Sequence, residues 1–415
     1  MRILYLTPYV PSLVRVRPYQ FIRHLAELGH DVTLICLAGR DEEPAALDEL
    51  RAWCHEVVTV PASKRQAAIQ ALRALPSSLP LQAAYGASEA LVEQARRRAD
   101  RHDVVHIEHL RGSTYGVTLC DYPRLLDAVD CISLLFERAF RQSVSIAGRV
   151  RALLDLARTR HAEGRFGATF RQVVVTSPED RWALRQLQSP DAPTPRIDVI
   201  ANGVDLTAFV PAPPAARQSA TLLLSGKMSY HANEASAIYL GRVIMPLIWR
   251  ERPDARCMIV GRAPTPAVCA LAADARITVT GAVPSMAPFL SSATIAAVPL
   301  RYGVGIQNKV LEAMATATPV VATPQAANAL NTRPGEEIML AATPEAFAAT
   351  VLELLDDPER RANLGAAGRR YVETHHDWHA GAGRLIELYR DISNRRAAAH
   401  DILPNCYSWP DRVHP

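Results

Sequence analysis

Short runs of Val, Ile and Leu recur along this chain, with helix-length segments between them. RILYLT, PYQFIRHLAELGH and DVTLICLAG read as a strand, a helix closed by Gly29, and a second strand. VVHIEHL, RLLDAV, QVVVTS and IDVIANGV read as later strands of the same half. Runs this apolar have no polar face to give to water, so they belong to a parallel sheet covered on both sides. Parallel neighbours need crossover connections, and the alternation of strand and helix predicts an open, doubly wound α/β sheet.

The pattern pauses at PAPPAAR, Pro211 to Arg217, which reads as a linker, and then restarts. ATLLLSGKM, a helix around Ala235 to Arg250, ARCMIVGR, ITVTGAV and TIAAVPL follow in turn, and GVGIQNKVLEAMATATPVVAT closes the series. The 415 residues therefore divide into two Rossmann-like halves. The tail beyond Arg395 is Ala-rich and then broken by prolines, and reads as extended unless it docks elsewhere.

Composition narrows the classes of function. With 49% hydrophobic and 21% charged residues the chain reads as a soluble globular protein, and a net charge of only +4 gives no reason to expect nucleic acid as a partner. Its 7 cysteines are scattered singly without C-x-x-C, which suggests neither a zinc site nor a disulfide framework and fits a reducing cytoplasm. MRILYLTPYVP reads as a first strand rather than a signal peptide, and no apolar run approaches the roughly 20 residues of a membrane span. Two segments of the first half are basic, Ser63 to Arg101 and Arg138 to Arg171. They read as solvated helix faces or as contacts to an anionic membrane surface.

The chemistry concentrates at the start of the closing stretch. A strand ends at Arg301, Gly303 and Gly305 permit close approach to the main chain, and a helix runs from about Ile306 to Ala317 before Pro319. Ligands of open α/β sheets bind beyond the carboxyl ends of the strands, and a helix N-terminus there attracts phosphate. Lys309 sits in the first helical turn, and Glu312, three residues on, shares its face. A carboxylate beside a phosphate site needs hydrogen-bond donors, which ribose hydroxyls supply. The pattern points to a nucleoside diphosphate, with its charge on Arg301 and Lys309 and its ribose on Glu312. An ordinary surface Lys–Glu pair is the plain alternative.

LEAMATATPVVAT resembles a signature of the GT-B fold, retaining, nucleotide-sugar-dependent glycosyltransferases of family 4. VIANGVDLTAFVP, MIVGR, VTGAVPSMAPFLSSATIAAVPLR, HLAELGHDVTLI and DVVHIEHL are similar to further motifs of that family in the same order. RYGVGIQNKVLEAMA is closest to a branch associated with exopolysaccharide sugar transfer. The resemblance implies two Rossmann-like domains facing across a cleft: an acceptor domain at 1–205, a linker at 206–217, a donor domain at 218–375, and a C-terminal helix and tail from 376 packing back on the first domain.

The resemblance assigns residues position by position. Glu312 matches the second glutamate of the family's paired-glutamate motif, the ribose ligand, whereas the first glutamate falls at Val304 and is missing. Main-chain groups from Gly303 to Ile306, with Gln307, are then left to bind the donor sugar. Lys227, after Gly226 in SGKMSYHANEAS, stands where the family has a diphosphate-binding arginine, and Lys309 with Arg301 replaces the absent Lys-Gly pair. Asn233 reads as a helix cap. Val283 in GAVPSM is the candidate for nucleobase contact, in a turn that Ser285 otherwise simply caps. In the first half, His106 and His109 are placed at a strand end facing the cleft, a structural role being the plain alternative for each, with Glu108 and Asp130 nearby and Arg15 and Arg17 in a first loop that lacks the family's glycines.

The implied reaction is transfer of a hexosyl group with retention, from a UDP- or GDP-sugar to a sugar, lipid-linked or small-molecule acceptor, without a metal. Lys309, Arg301, Lys227 and His109 are the implied catalytic groups, in a cytoplasmic enzyme peripheral to the inner membrane face. A sugar-nucleotide epimerase and a non-catalytic nucleotide-binding paralogue are the competing readings.

Overall fold

The computed structural model describes residues 1–39, 44–142, 146–213, 217–302 and 306–398. The chain forms two compact units, one made of Met1–Ala201 with the segment from Trp378 onward, the other of Asn202–Asp377.

The first unit is built on seven strands: β1 (Arg2–Thr7), β2 (Asp31–Ala38), β3 (Glu56–Pro61), β4 (Val104–Glu108), β5 (Arg124–Val129), β6 (Gln172–Val175) and β7 (Arg196–Val199). They lie in the order β3-β2-β1-β4-β5-β6-β7, and every pairing is parallel. EVVTVP is the strand that the apolar pattern does not announce. It is β3, at the sheet edge, and most of its side chains stay partly exposed, so no continuous apolar run is required of it. The helix Val16–Glu27 ends in paired hydrogen bonds, Gly29 N to Ala26 O and His30 N to Leu25 O, with Gly29 at φ 79°. That left-handed residue stops the helix and returns the chain to β2. The C-terminal helix Trp378–Ala398 packs against the Val16–Glu27 helix, with the Trp378 and Phe21 rings edge to face at 5.3 Å.

The second unit carries β8 (Thr221–Ser225), β9 (Arg256–Val260), β10 (Ile277–Val279), β11 (Ile295–Val298), β12 (Val320–Ala322) and β13 (Met339–Leu340), all parallel, in the order β10-β9-β8-β11-β12-β13. β8 and β11 are buried along their whole length, which explains LLL and IAAV. Arg217, at the end of the Pro/Ala-rich segment, donates to the carbonyls of Ala293, Thr316 and Ala317 and to Thr318 Oγ1. One guanidinium thereby answers carbonyls at two helix ends.

Cys36, Cys54, Cys131, Cys257 and Cys269 are free thiols. No helix of the described residues is long and apolar enough to cross a membrane.

Candidate active site

Three strands of the second sheet end in glycine: Gly226 after β8, Gly261 after β9 and Gly281 after β10, all at positive φ. Gly226 N donates to Val260 O at 3.0 Å and Gly261 N to Gly281 O at 3.2 Å, so the main chain continues as a bonded floor past the strands. Side chains are excluded here by contact as well as by dihedral angle. A Cβ on Gly261 would lie 1.7 Å from Gly226 O, and one on Gly226 would lie 2.7 Å from Asn233 Nδ2 and 3.5 Å from Lys309 Cε. Gly226 is what lets two functional side chains close over the end of β8.

The helix His231–Tyr239 starts four residues before the position expected from sequence, which puts Asn233 in its first turn rather than at its cap. The cap position is Tyr230, and Asn233 does other work. Its Nδ2 donates to Lys227 O at 3.0 Å, and its Oδ1 accepts from Lys309 Nζ at 2.5 Å. Buried amides are costly unless bonded, and here both ends of the amide are used.

Lys309 is the second residue of the helix Asn308–Ala315, which starts two residues later than expected; Gln307 is the capping residue and offers no side-chain cap. Val310 N is bonded to Gln307 O at 2.8 Å, and the N–H groups of Asn308 and Lys309, which have no acceptor among the described residues, are left for an anion. Lys309 and Glu312 are both half-buried. Desolvation pushes the Lys309 ammonium down to about 8 against the opposing pull of Glu312, and pushes the Glu312 carboxyl up to about 7 against Lys309. Glu312 makes no hydrogen bond to any described residue, so its oxygens are open to outside donors. Asn308 Oδ1 is a further buried acceptor without a hydrogen-bond partner among the described residues.

The remaining predicted residues of this unit are spread around the same strand ends. Lys227 is exposed directly after Gly226. Arg301 is exposed and its guanidinium lies 5.5 Å over the Tyr239 ring, so its position is set by a cation–π contact. Ile306 is buried, Gln307 is half-buried, and Val283 is half-buried in the loop after β10. Gly303, Val304 and Gly305 lie outside the described residues. Ser285 does not cap the Ala287–Ser292 helix; Met286 holds that position without a side-chain bond. Sequence reasoning missed the His231–Tyr302 pair: the rings stack at 5.3 Å, and Nδ1 lies 2.9 Å from the phenol oxygen. This pair joins the first residue of one site helix to the residue after Arg301.

His109 belongs to the other unit. It follows β4 at φ 65°, is half-buried, and its Nδ1 accepts from Arg111 N at 3.2 Å. Burial and the charges of Arg111 and Arg15 hold its pKa down at about 3, so the ring is neutral with its proton on Nε2. Val129, two residues after the Asp127 that pairs with Glu108, is also left-handed, at φ 67°. For a β-branched residue that is strained backbone. Asp130, next in line, accepts from Thr176 Oγ1 at 3.1 Å, and burial together with Asp180 raises its carboxyl to about 7.

His106 does not face outward as expected. It is fully buried, stacked on Tyr5 at 3.9 Å and held at Nδ1 by Tyr389 OH at 2.7 Å. Glu108 is equally buried, bonded to Tyr5 OH and Tyr9 OH. Arg17 is no surface substitution either: it pairs with buried Asp127 at 2.8 Å and donates to Ile200 O, while Arg15 is exposed over the Tyr9 ring. The carboxylates, His106 and Arg17 form an internal network beneath the ends of β4 and β5. His106, Glu108 and Asp127 present ligand-type atoms within 4.8 Å of one another, but the Arg17 guanidinium already occupies the Asp127 carboxylate, and this cluster does not suit a cation.

Residues 219–357 match the family model described as "Glycosyl transferases group 1". That range contains Gly226, Lys227, Asn233, Val283, Arg301, Lys309 and Glu312. A curated relative, the GDP-mannose-dependent monoacylated alpha-(1-6)-phosphatidylinositol monomannoside mannosyltransferase of Corynebacterium glutamicum, is 27% identical over 242 residues, covering 52% of this chain and 62% of the relative. Among solved structures, sucrose-phosphate synthase from Thermosynechococcus elongatus superposes with a TM-score of 0.66 at 19% identity, covering 96% of this chain and 100% of that one. Anabaena HepE in complex with UDP and glucose gives 0.64 at 13% identity, covering 94% and 100%. The fold is GT-B, with two parallel-sheet Rossmann-like domains. The family match lies wholly within the second unit, and the solved structures support the GT-B fold.

Proposed function

We propose that this chain is a retaining, metal-independent glycosyltransferase. It moves a sugar from a nucleoside diphosphate to a hydroxyl of a sugar or lipid-linked acceptor in cell-surface glycan or exopolysaccharide synthesis, in the family 4 branch its motifs resemble. The observation that carries the reading is the Lys309–Asn233 bond at the mouth of the Asn308–Ala315 helix, with the Glu312 carboxylate, which has no hydrogen bond among the described residues, one turn on. The amide that orients this cation adds no opposing charge to it.

In this reading the glycine floor and the helix N-terminus hold the diphosphate, Glu312 accepts from the ribose hydroxyls, and Val283 borders the base. The bond from the anomeric carbon to the β-phosphate oxygen breaks, and its electrons stay on the diphosphate. Lys309, Lys227 and Arg301 meet that growing charge, a stabilisation worth about 3 kcal/mol for one well-placed donor. The acceptor oxygen bonds to the same face of the anomeric carbon, and its proton passes to the leaving phosphate oxygen. A relative named for GDP-mannose and a neighbour solved with UDP and glucose support a UDP- or GDP-sugar donor. The phosphatidylinositol mannoside in that relative's name supports a lipid-linked acceptor.

Incubation of the purified protein with UDP- and GDP-sugars and lipid extracts, with glycoside detection by mass spectrometry, tests this. A new glycoside from the wild type, reduced by about a hundredfold in Lys309→Ala, is the expected result. Lys309→Ala activity within a few-fold of the wild type contradicts it.

A further inference from the structure

The helix Lys64–Arg73, KRQAAIQALR, is turned inside out. Toward the body of its unit it presents alanines: Ala67 and Ala71 are half-buried and Ala74 is buried. Its larger apolar residues point away: Ile69 is 49% exposed and Leu72 65%, with Leu75 beyond the last turn at 44%. Arg65, Ala68, Ile69 and Leu72 recur at three- and four-residue steps, so they share one outward stripe. A water-facing helix has no physical reason to place alanine inside and isoleucine and leucine outside; an exposed apolar ridge of this kind marks a contact surface.

The charge around the ridge has a single sign. From Val57 to Ser88 the sequence contains Lys64, Arg65 and Arg73 and no Asp or Glu. Arg65 and Arg73 are exposed, and neither pairs with a carboxylate among the described residues. Other members of the two basic segments are already committed: Arg97 pairs with Glu93, Arg98 with Glu56, Arg138 with Glu179 and Arg160 with Glu137. The packed neighbouring helix Leu81–Gly86 adds Tyr85, 43% exposed and suited to a boundary between apolar and wet layers. The helix pair is anchored from behind by hydrogen bonds from Tyr115 OH to Gly86 O and from Leu81 N to Asp155 Oδ1.

We propose that the ridge Ile69–Leu72–Leu75, flanked by Arg65, Arg73 and Tyr85, docks on an anionic lipid bilayer, the leucines entering the headgroup–acyl boundary and the arginines meeting lipid phosphate. This deepens the lipid-linked acceptor reading by naming the surface, but its test does not pass through catalysis.

The full chain is sedimented with phosphatidylglycerol vesicles and with phosphatidylcholine vesicles at low and high salt, beside Ile69→Ser/Leu72→Ser and Arg65→Ala/Arg73→Ala. Expected are binding to the anionic vesicles, weakening in salt, and a loss of about tenfold or more in each double variant. Both pairs are exposed, so melting temperatures stay at the wild-type value and a loss is not one of folding. Wild type that ignores anionic vesicles, or a serine variant that binds as well as wild type, overturns the proposal; the latter would leave the ridge to a protein partner. Nucleotide binding is read separately by thermal shift, so failure of the glycosyltransferase reading and failure of the docking surface remain distinct.

Discussion

Lys309 Nζ donates to Asn233 Oδ1 across 76 residues of sequence, and the same asparagine donates from Nδ2 to Lys227 O. One neutral amide thus fixes the cation of one helix and the loop that carries Lys227. The lysine is oriented by a neutral amide, and Glu312 is the carboxylate that acts on its charge.

The first consequence is non-additivity. Asn233→Ala frees the Lys309 ammonium and leaves Lys227 O unanswered, so transfer falls by about tenfold or more. Lys309→Ala costs about a hundredfold. If both act through one phosphate contact, the double variant costs little more than Lys309→Ala alone. A cycle measured as kcat/KM checks this, and full additivity contradicts it.

The half-buried pair predicts a narrow pH window for nucleotide binding. The bound form needs Glu312 ionised, which holds above about 7, and Lys309 protonated, which holds below about 8. Affinity for a nucleoside diphosphate therefore peaks between these values and falls on both sides. Titration calorimetry across pH compares wild type with Glu312→Gln, which cancels the ligand's own ionisation. The variant loses the acid limb and keeps the alkaline one; Lys309→Met does the reverse. An unchanged acid limb in Glu312→Gln contradicts the assignment.

Ala317 closes the site helix in an unfavourable conformation. Thr318 N bonds to Ala313 O and Ala317 N to Met314 O, with Ala317 at φ 50°. This is a motif that glycine normally completes, and an L-residue there costs about 1 kcal/mol. Ala317→Gly is expected to raise the melting temperature of its unit by about 2–4 °C without changing nucleotide affinity. A lower melting temperature would show that the alanine methyl packs more than it strains.

The fold was legible where strands are covered on both faces, as in RILYLT and TLLLS, because burial demands continuous apolar runs. β3 escaped because an edge strand carries no such demand, and two-residue β13 is too short to have a pattern. In the site, Lys309 and Glu312 could be read from helical spacing alone. Asn233 could not. Its neighbours in sequence make it look like a cap, and only the approach of β8 to the Asn308–Ala315 helix shows what it holds. His106 was misplaced for a similar reason: its partner, Tyr389, is 283 residues away, and a histidine near a strand end looks functional until the helix over it is known.

A thermal-shift titration with UDP, GDP, ADP and dTDP on wild type and Glu312→Ala decides whether this site holds a nucleoside diphosphate. One diphosphate is expected to stabilise the wild type by about 2.7 kcal/mol at a hundredfold excess over its dissociation constant. The shift should be largely lost in Glu312→Ala. No shift with any of them, or a shift equal in both proteins, would contradict the placement of a nucleoside diphosphate on Lys309 and Glu312.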